Sequence, residues 1–155
     1  MDLRQWDPTT GWEPTHLDDI VVDLSAATIN DVPLGAPLQQ IAGWGRAENA
    51  FPLYSDDKHH VIGGTWYYEA VGLAVSAVDG RIESWDVDVE PVPPARRRFR
   101  WRGGDVPITD VMRILGEPAS RRGSDRVYPS GGWECVLEVS PQGRLQSISL
   151  QETNL

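Results

Sequence analysis

What the sequence lacks narrows its chemistry first. It has one cysteine, Cys135, so no disulfide can close within the chain. That thiol sits in an alternating apolar run, which predicts a buried, inert group rather than a nucleophile. No apolar stretch approaches the ~18 residues a membrane-spanning helix needs. The opening MDLRQWDPTTGWEP has neither the basic start nor the apolar core of a secretory signal, so the expected compartment is the cytoplasm. Also missing are a His-Glu-x-x-His pair, a glycine-rich phosphate loop and a Gly-x-Ser-x-Gly elbow.

Histidine is scarce as well, with only His16, His59 and His60. A catalytic triad can assemble from distant residues, but here it would have to draw on an adjacent pair or on the N-terminal arm. Asp56-Asp57-Lys58-His59-His60 gathers metal-capable side chains. Adjacent residues of an extended segment point to opposite faces, however, so a solvated loop is the expectation. No catalytic residue, metal or cofactor is assigned on these grounds.

Positive charge is in deficit. Fourteen Lys and Arg stand against 23 Asp and Glu, a net charge of −9. This disfavours a phosphate-backbone binder and suits a soluble protein or one with a basic partner.

What is present is a β signal. Thr65 to Glu90, TWYYEAVGLAVSAVDGRIESWDVDVE, holds two β-rich runs joined by Asp79-Gly80, the dipeptide that favours a two-residue type I′ hairpin turn. Trp133 to Gln151 can be laid on it, Leu73 to Ser76 over Leu137 to Ser140 and Gly80 to Ile82 over Gly143 to Leu145. The chain therefore reads as a tandem repeat. Ile20 to Leu24 is a strand, and Ala27 to Leu34 is extended across a turn near Asn30-Asp31. Ala36 to Ala42 has helical spacing, with Pro37 at its start and Gly43 at its end. In the second half Arg96 to Arg102 alternates, Gly103-Gly104 turns, and Thr109 caps a helix Asp110 to Leu115 that ends at Gly116.

The expected fold is α+β: two tandem units, each a short helix packed on one face of an antiparallel sheet. Residues 1–16 form an N-terminal arm anchored by Trp6 and Trp12, 17–90 the first unit and 91–155 the second, in one body. Gly63-Gly64, Gly103-Gly104 and Gly131-Gly132 read as turns or bulges.

Strand parity divides the faces. Cys135, Leu137, Val139, Ile148 and Leu150 fall on the core side, and Val71, Leu73, Val75, Trp85 and Val87 correspond to them. Trp66, Tyr68, Ser76, Ser84, Asp86, Asp88 and Glu90 then lie on the open side with Glu134 and Glu138. A slip at Gly72 would exchange Tyr68 for Tyr67. Aromatics beside carboxylates form the mix of a protein-binding surface, or alternatively cover the junction between units.

The run Arg96 to Arg102 has interleaved aromatics like a nucleic-acid patch. Asp86, Asp88 and Glu90 share its two-residue spacing, so pairing with Arg98, Arg100 and Arg102 as cross-strand ion pairs is the preferred reading. Such pairing would fuse the two sheets into one continuous surface.

The unit order, the helix ending Leu115-Gly116-Glu117-Pro118, Tyr128 in the following loop and the hairpin turning at Gln142-Gly143 resemble the repeat of the SmpA/OmlA-type outer-membrane lipoproteins. The same pattern is similar to the tandem-repeat β-lactamase inhibitor proteins. The resemblance implies a binding scaffold rather than an enzyme. Among cytoplasmic, acidic bacterial scaffolds it points to immunity proteins that neutralise toxins.

The expectation is a non-enzymatic inhibitor, monomer or homodimer, whose partner is another protein, a toxin or enzyme of basic character. Neither nucleic acid nor membrane is an expected partner. The candidate partner-binding residues are Trp66, Tyr68, Asp86, Asp88, Tyr54, Asp56, Asp57, Glu134 and Glu138. Alternatives are an assembly module related to the lipoprotein repeats, or a ligand binder or enzyme in a groove between units near Trp44, Trp101 and Trp133.

Overall fold

Alternating apolar residues set about half of the chain in strands. The computed structural model describes residues 5–89 and 97–153. Its strands are Ile20–Asp23 (β1), Thr28–Ile29 (β2), Val32–Pro33 (β3), Asn49–Tyr54 (β4), Val61–Tyr68 (β5), Leu73–Val78 (β6), Arg81–Asp88 (β7), Arg97–Trp101 (β8), Gly104–Val106 (β9), Ser120–Arg122 (β10), Asp125–Ser130 (β11), Trp133–Val139 (β12) and Leu145–Glu152 (β13). Asp79 and Gly80 both have positive φ, 52° and 76°, the geometry of the expected type I′ turn between β6 and β7. Asn30 and Asp31 make the same kind of turn between β2 and β3, with φ of 50° and 66°.

The expected α+β architecture is not what forms: the protein is mainly β. The helical segments are short. Leu38–Trp44 is a 3-10 helix, and Ile108–Asp110 is a 3-10 turn leading into an α-helix, Val111–Leu115 (α1). Thr109 is not the cap of α1; Asp110 holds that position, without a side-chain capping bond. Pieces of five and seven residues present too little apolar surface to cover a wide sheet.

The cover comes instead from a second sheet of five strands in the order β3-β2-β1-β8-β9. It is built from the leading segments of both halves, with β1 and β8 parallel and in register from Ile20↔Arg97 to Asp23↔Arg100. The sheet it faces has eight strands, β10-β11-β12-β13-β7-β6-β5-β4. This larger sheet is two four-stranded meanders, β4 to β7 and β10 to β13, joined where β13 pairs antiparallel with β7.

One core cluster spans both sheets. Ile20, Val22, Ile29, Phe99 and Val106 come from the smaller sheet, and Leu73, Val75, Trp85, Val87, Cys135, Leu137, Ile148 and Leu150 from the larger. The core positions expected from parity are all buried. Trp85 ties the layers together, its Nε1 donating to the Ala27 carbonyl oxygen at 3.1 Å. The arm closes one end: Trp6 and Trp12 pack on the core cluster, and Trp6 lies 5.8 Å from Trp66, centroid to centroid.

Gly63 and Gly64 lie inside β5 rather than at a turn. Their role is close approach. A Cβ on Gly63 would sit 2.0 Å from the Ala77 carbonyl oxygen, and one on Gly64 would sit 2.5 Å from the Trp6 ring. Gly63→Ala is expected to reduce the unfolding free energy by about 2 kcal/mol or more, since backbone must move to admit the methyl group. Gly43→Ala, whose added Cβ meets nothing within 4 Å, should change it by less than about 0.5 kcal/mol. Urea denaturation of the two variants checks both.

Candidate partner-binding face

One face of the eight-stranded sheet packs on the core, and the other is the candidate site. Which aromatic belongs to which face is decided at Gly72. After Tyr68 the chain makes a 3-10 turn, Glu69–Val71, and Gly72 adopts left-handed backbone at φ 65°, ψ 38°. Tyr68 then pairs with Leu73 and Trp66 with Val75. Residues directly opposite in an antiparallel pair share a face, so these two aromatics join the core.

This corrects the expectation that Trp66 and Tyr68 lie exposed. Their relative exposures are 2% and 1%. Trp66 Nε1 donates to Asp7 Oδ1 at 2.9 Å, and the Tyr68 hydroxyl donates to the Gly45 carbonyl oxygen at 2.7 Å. Burial pushes the Tyr68 phenol well above its ordinary range, with Glu48 and Asp7 adding to the effect. Trp44 stacks between Tyr68 and Trp85, at 5.8 and 5.9 Å, so it belongs to this cluster rather than to a groove.

The exchange turns Tyr67 outward. Tyr67 is 40% exposed, and Phe51 on β4 is 58% exposed. Their rings meet edge to face at 5.7 Å. Leu53, Tyr54 and Val61 are exposed on the same two strands. Phe51 and Leu53 oppose Thr65 and Gly63, which puts both on the face that Tyr67 occupies. Phe51, Leu53 and Tyr67 were absent from the expected site. The alternation of Phe51-Pro52-Leu53-Tyr54 is the available signal, although by composition Trp44 to Asp57 reads as a loop or irregular strand.

Across the face runs a cross-strand row: Asn49, Tyr67, Ala74, Asp86, Ser149 and Val136. The next row holds Phe51, Thr65, Ser76, Ser84, Gln151 and Glu134. Small residues fill the middle, and the Thr65 and Ser76 hydroxyls are 3.0 Å apart. The carboxylates gather on the far side. Glu138 opposes Ser147, which opposes Asp88, and the Ser147 hydroxyl donates to Glu138 Oε2 at 3.0 Å. Asp86 is half-buried. Desolvation raises its carboxyl above the ordinary range, Asp88 and Glu138 raise it further, and a bond from Ser149 opposes the shift. Asp88 is raised by desolvation and by Glu138 and drawn back by the Arg97 guanidinium.

Glu134 is buried at the rim of the face, held by Gln151 Nε2 at 2.7 Å and Arg122 Nη1 at 3.3 Å. It is therefore already occupied, unlike the role expected of it. Tyr54 and Asp56 line an open depression of about 430 Å³ with Ser55 and Lys58. Asp57 braces that loop: it accepts from the Ser55 hydroxyl and from the His59 amide, which hold its carboxyl below the ordinary range.

The expected ladder of Arg98, Arg100 and Arg102 against the acids of β7 does not form, although the Arg97 guanidinium lies close enough to Asp88 to act on its charge. β8 lies in the other sheet, between β1 and β9. Arg100 faces Asp105 at 3.9 Å, and the Arg102 guanidinium stacks on Trp101 at 5.2 Å. Glu90 lies outside the described residues. Burial pushes the Cys135 thiol up to about 12.

The register makes a direct prediction. Tyr68→Ala should cost about 3 kcal/mol or more of stability, as deletion of a buried ring does. Tyr67→Ala should cost less than about 1 kcal/mol. Chemical denaturation of the pair measures both. The second expectation concerns pH. Because the folded-state pKa of Asp86 is raised, its favourable contribution is fully present below the ordinary aspartate value and is lost as pH rises through the raised one. Asp86→Asn should therefore raise the melting temperature at neutral pH, with the gain closing as pH falls below about 4. No protein-family model, curated protein or solved structure was found to match this chain.

Proposed function

We propose that the protein is a non-enzymatic inhibitor that binds another protein through the open face of the eight-stranded sheet, as a cytoplasmic immunity protein does with its toxin. One observation carries the reading. Every exposed large apolar side chain among the described residues, Phe51, Leu53, Tyr54, Val61 and Tyr67, belongs to β4 or β5. Exposed apolar residues scattered singly need no explanation, whereas a contiguous group is typical of an interaction surface. Phe51 and Tyr67 take the anchor role first expected of Trp66 and Tyr68, because rigid rings on a strand supply buried area at small entropic cost.

Expression of the toxic partner with and without this protein tests the reading. Growth should be rescued by the wild type. The double variant Phe51→Ala, Tyr67→Ala, whose fold is monitored by circular dichroism, should lose rescue through an affinity loss of about 100-fold. Full rescue by a folded double variant would contradict the reading, as would a bound partner without toxicity.

A further inference from the structure

The face selects its occupant. We infer that the partner is a basic protein that docks side chain against side chain on Phe51, Leu53 and Tyr67, with its cations over Asp86, Asp88 and Glu138. This rests on the binding function proposed above and specifies the partner's chemistry. Three observations lead to it.

The first concerns the edge. β4 is a terminal strand of its sheet, and such rims invite an added strand. Pro52 stands in the middle of β4, opposite Gly64. Proline is tolerated in a strand where its missing N–H would point outward, so the free rim lacks a central donor and is a poor template for strand addition. Docking falls to the side chains of the face.

The second is charge. Asp86, Asp88, Glu134 and Glu138 lie on this face, and among the described residues Arg122 pairs with Glu134 and Arg97 lies near Asp88. Desolvation and mutual repulsion already raise the Asp86 and Asp88 carboxyls. Apposing two copies about a two-fold axis would bring both acid groups into one interface, which like-charge repulsion opposes. An incoming cation relieves the same repulsion.

The third is spacing. Tyr67 and Asp86 share a row and are separated only by Ala74, two strand spacings or about 10 Å. Ala74, small and 8% exposed, forms the floor between the Tyr67 ring and the Asp86 carboxylate. A partner with an apolar residue roughly 10 Å from a Lys or Arg, on one strand or helix face, meets both ends at once.

The test starts from the protein that the immobilised full chain retains stoichiometrically from native lysate, identified by mass spectrometry and purified. Binding kinetics are then measured at about 50 and about 300 mM salt. The expected partner is basic. Its association rate should fall about tenfold for Asp86→Asn, Asp88→Asn, Glu138→Gln at low salt, with the difference shrinking at high salt. Glu138→Gln alone, at an exposed position, should show about a threefold loss if the triple variant folds poorly. Phe51→Ala, Tyr67→Ala should instead speed dissociation. An acidic partner, charge-independent kinetics, retention of nothing or retention of a second copy would each overturn the inference. A basic, charge-dependent partner that is not toxic would uphold it while contradicting the proposed neutralising role.

Discussion

The antiparallel ladder between β7 and β13 is the contact on which the rest of the molecule depends. It runs from Ser84↔Gln151 to Asp88↔Ser147 and joins two meanders far apart in sequence into one sheet. The same register puts Trp85 opposite Leu150 and Val87 opposite Ile148, so both halves turn their apolar sides to a common core. It also lays Glu138, Ser147 and Asp88 in one row, assembling an acidic group that neither meander holds alone. The parallel contact of β1 with β8 does the corresponding work in the smaller sheet.

Within that frame the aromatics are partitioned by a single backbone feature. A chain running straight from β5 into β6 would keep one alternation throughout. The turn at Glu69–Val71 and the left-handed Gly72 insert a break that reverses it. Trp66 and Tyr68 consequently join Trp6, Trp44 and Trp85 in an interior cluster with satisfied polar ends. Tyr67 joins Phe51 outside. A dense indole cluster is a good way to fill a core where short helices cannot, because each ring buries a large area and its N–H needs only one acceptor.

Much of this was legible in the sequence. Asp79-Gly80 named its own turn, and parity named the core residues of β6, β7, β12 and β13, because period-two alternation responds directly to one buried face. The helices were misjudged in weight: Leu38, Ile41 and Ile114 have helical spacing, but nothing local reveals that the leading strands of the two halves will pair and take over the covering role. The arginine run failed for the same reason. Its spacing matched Asp86 and Asp88, while its actual neighbours, Val21 and Asp23, are about 75 residues away in sequence, a long-range pairing no local pattern encodes. At the site, Asp86 and Asp88 fall on the side of β7 away from Trp85 and Val87, as parity placed them, with Asp86 half-buried there. Tyr67 was visible only as the alternative at Gly72, since αL backbone at a glycine cannot be told from ordinary strand backbone by composition.

Hydroxyl-radical footprinting of the free protein and of its complex tests the central claim most directly, because it reads side-chain exposure on both faces at once. In the free chain Phe51, Tyr54 and Tyr67 should oxidise readily and Trp66, Tyr68 and Trp85 should not; in the complex Phe51 and Tyr67 should become protected. Oxidation of Trp66 or Tyr68 at the rate of Tyr67 would contradict the register, and unchanged labelling of Phe51 and Tyr67 on binding would contradict the docking face.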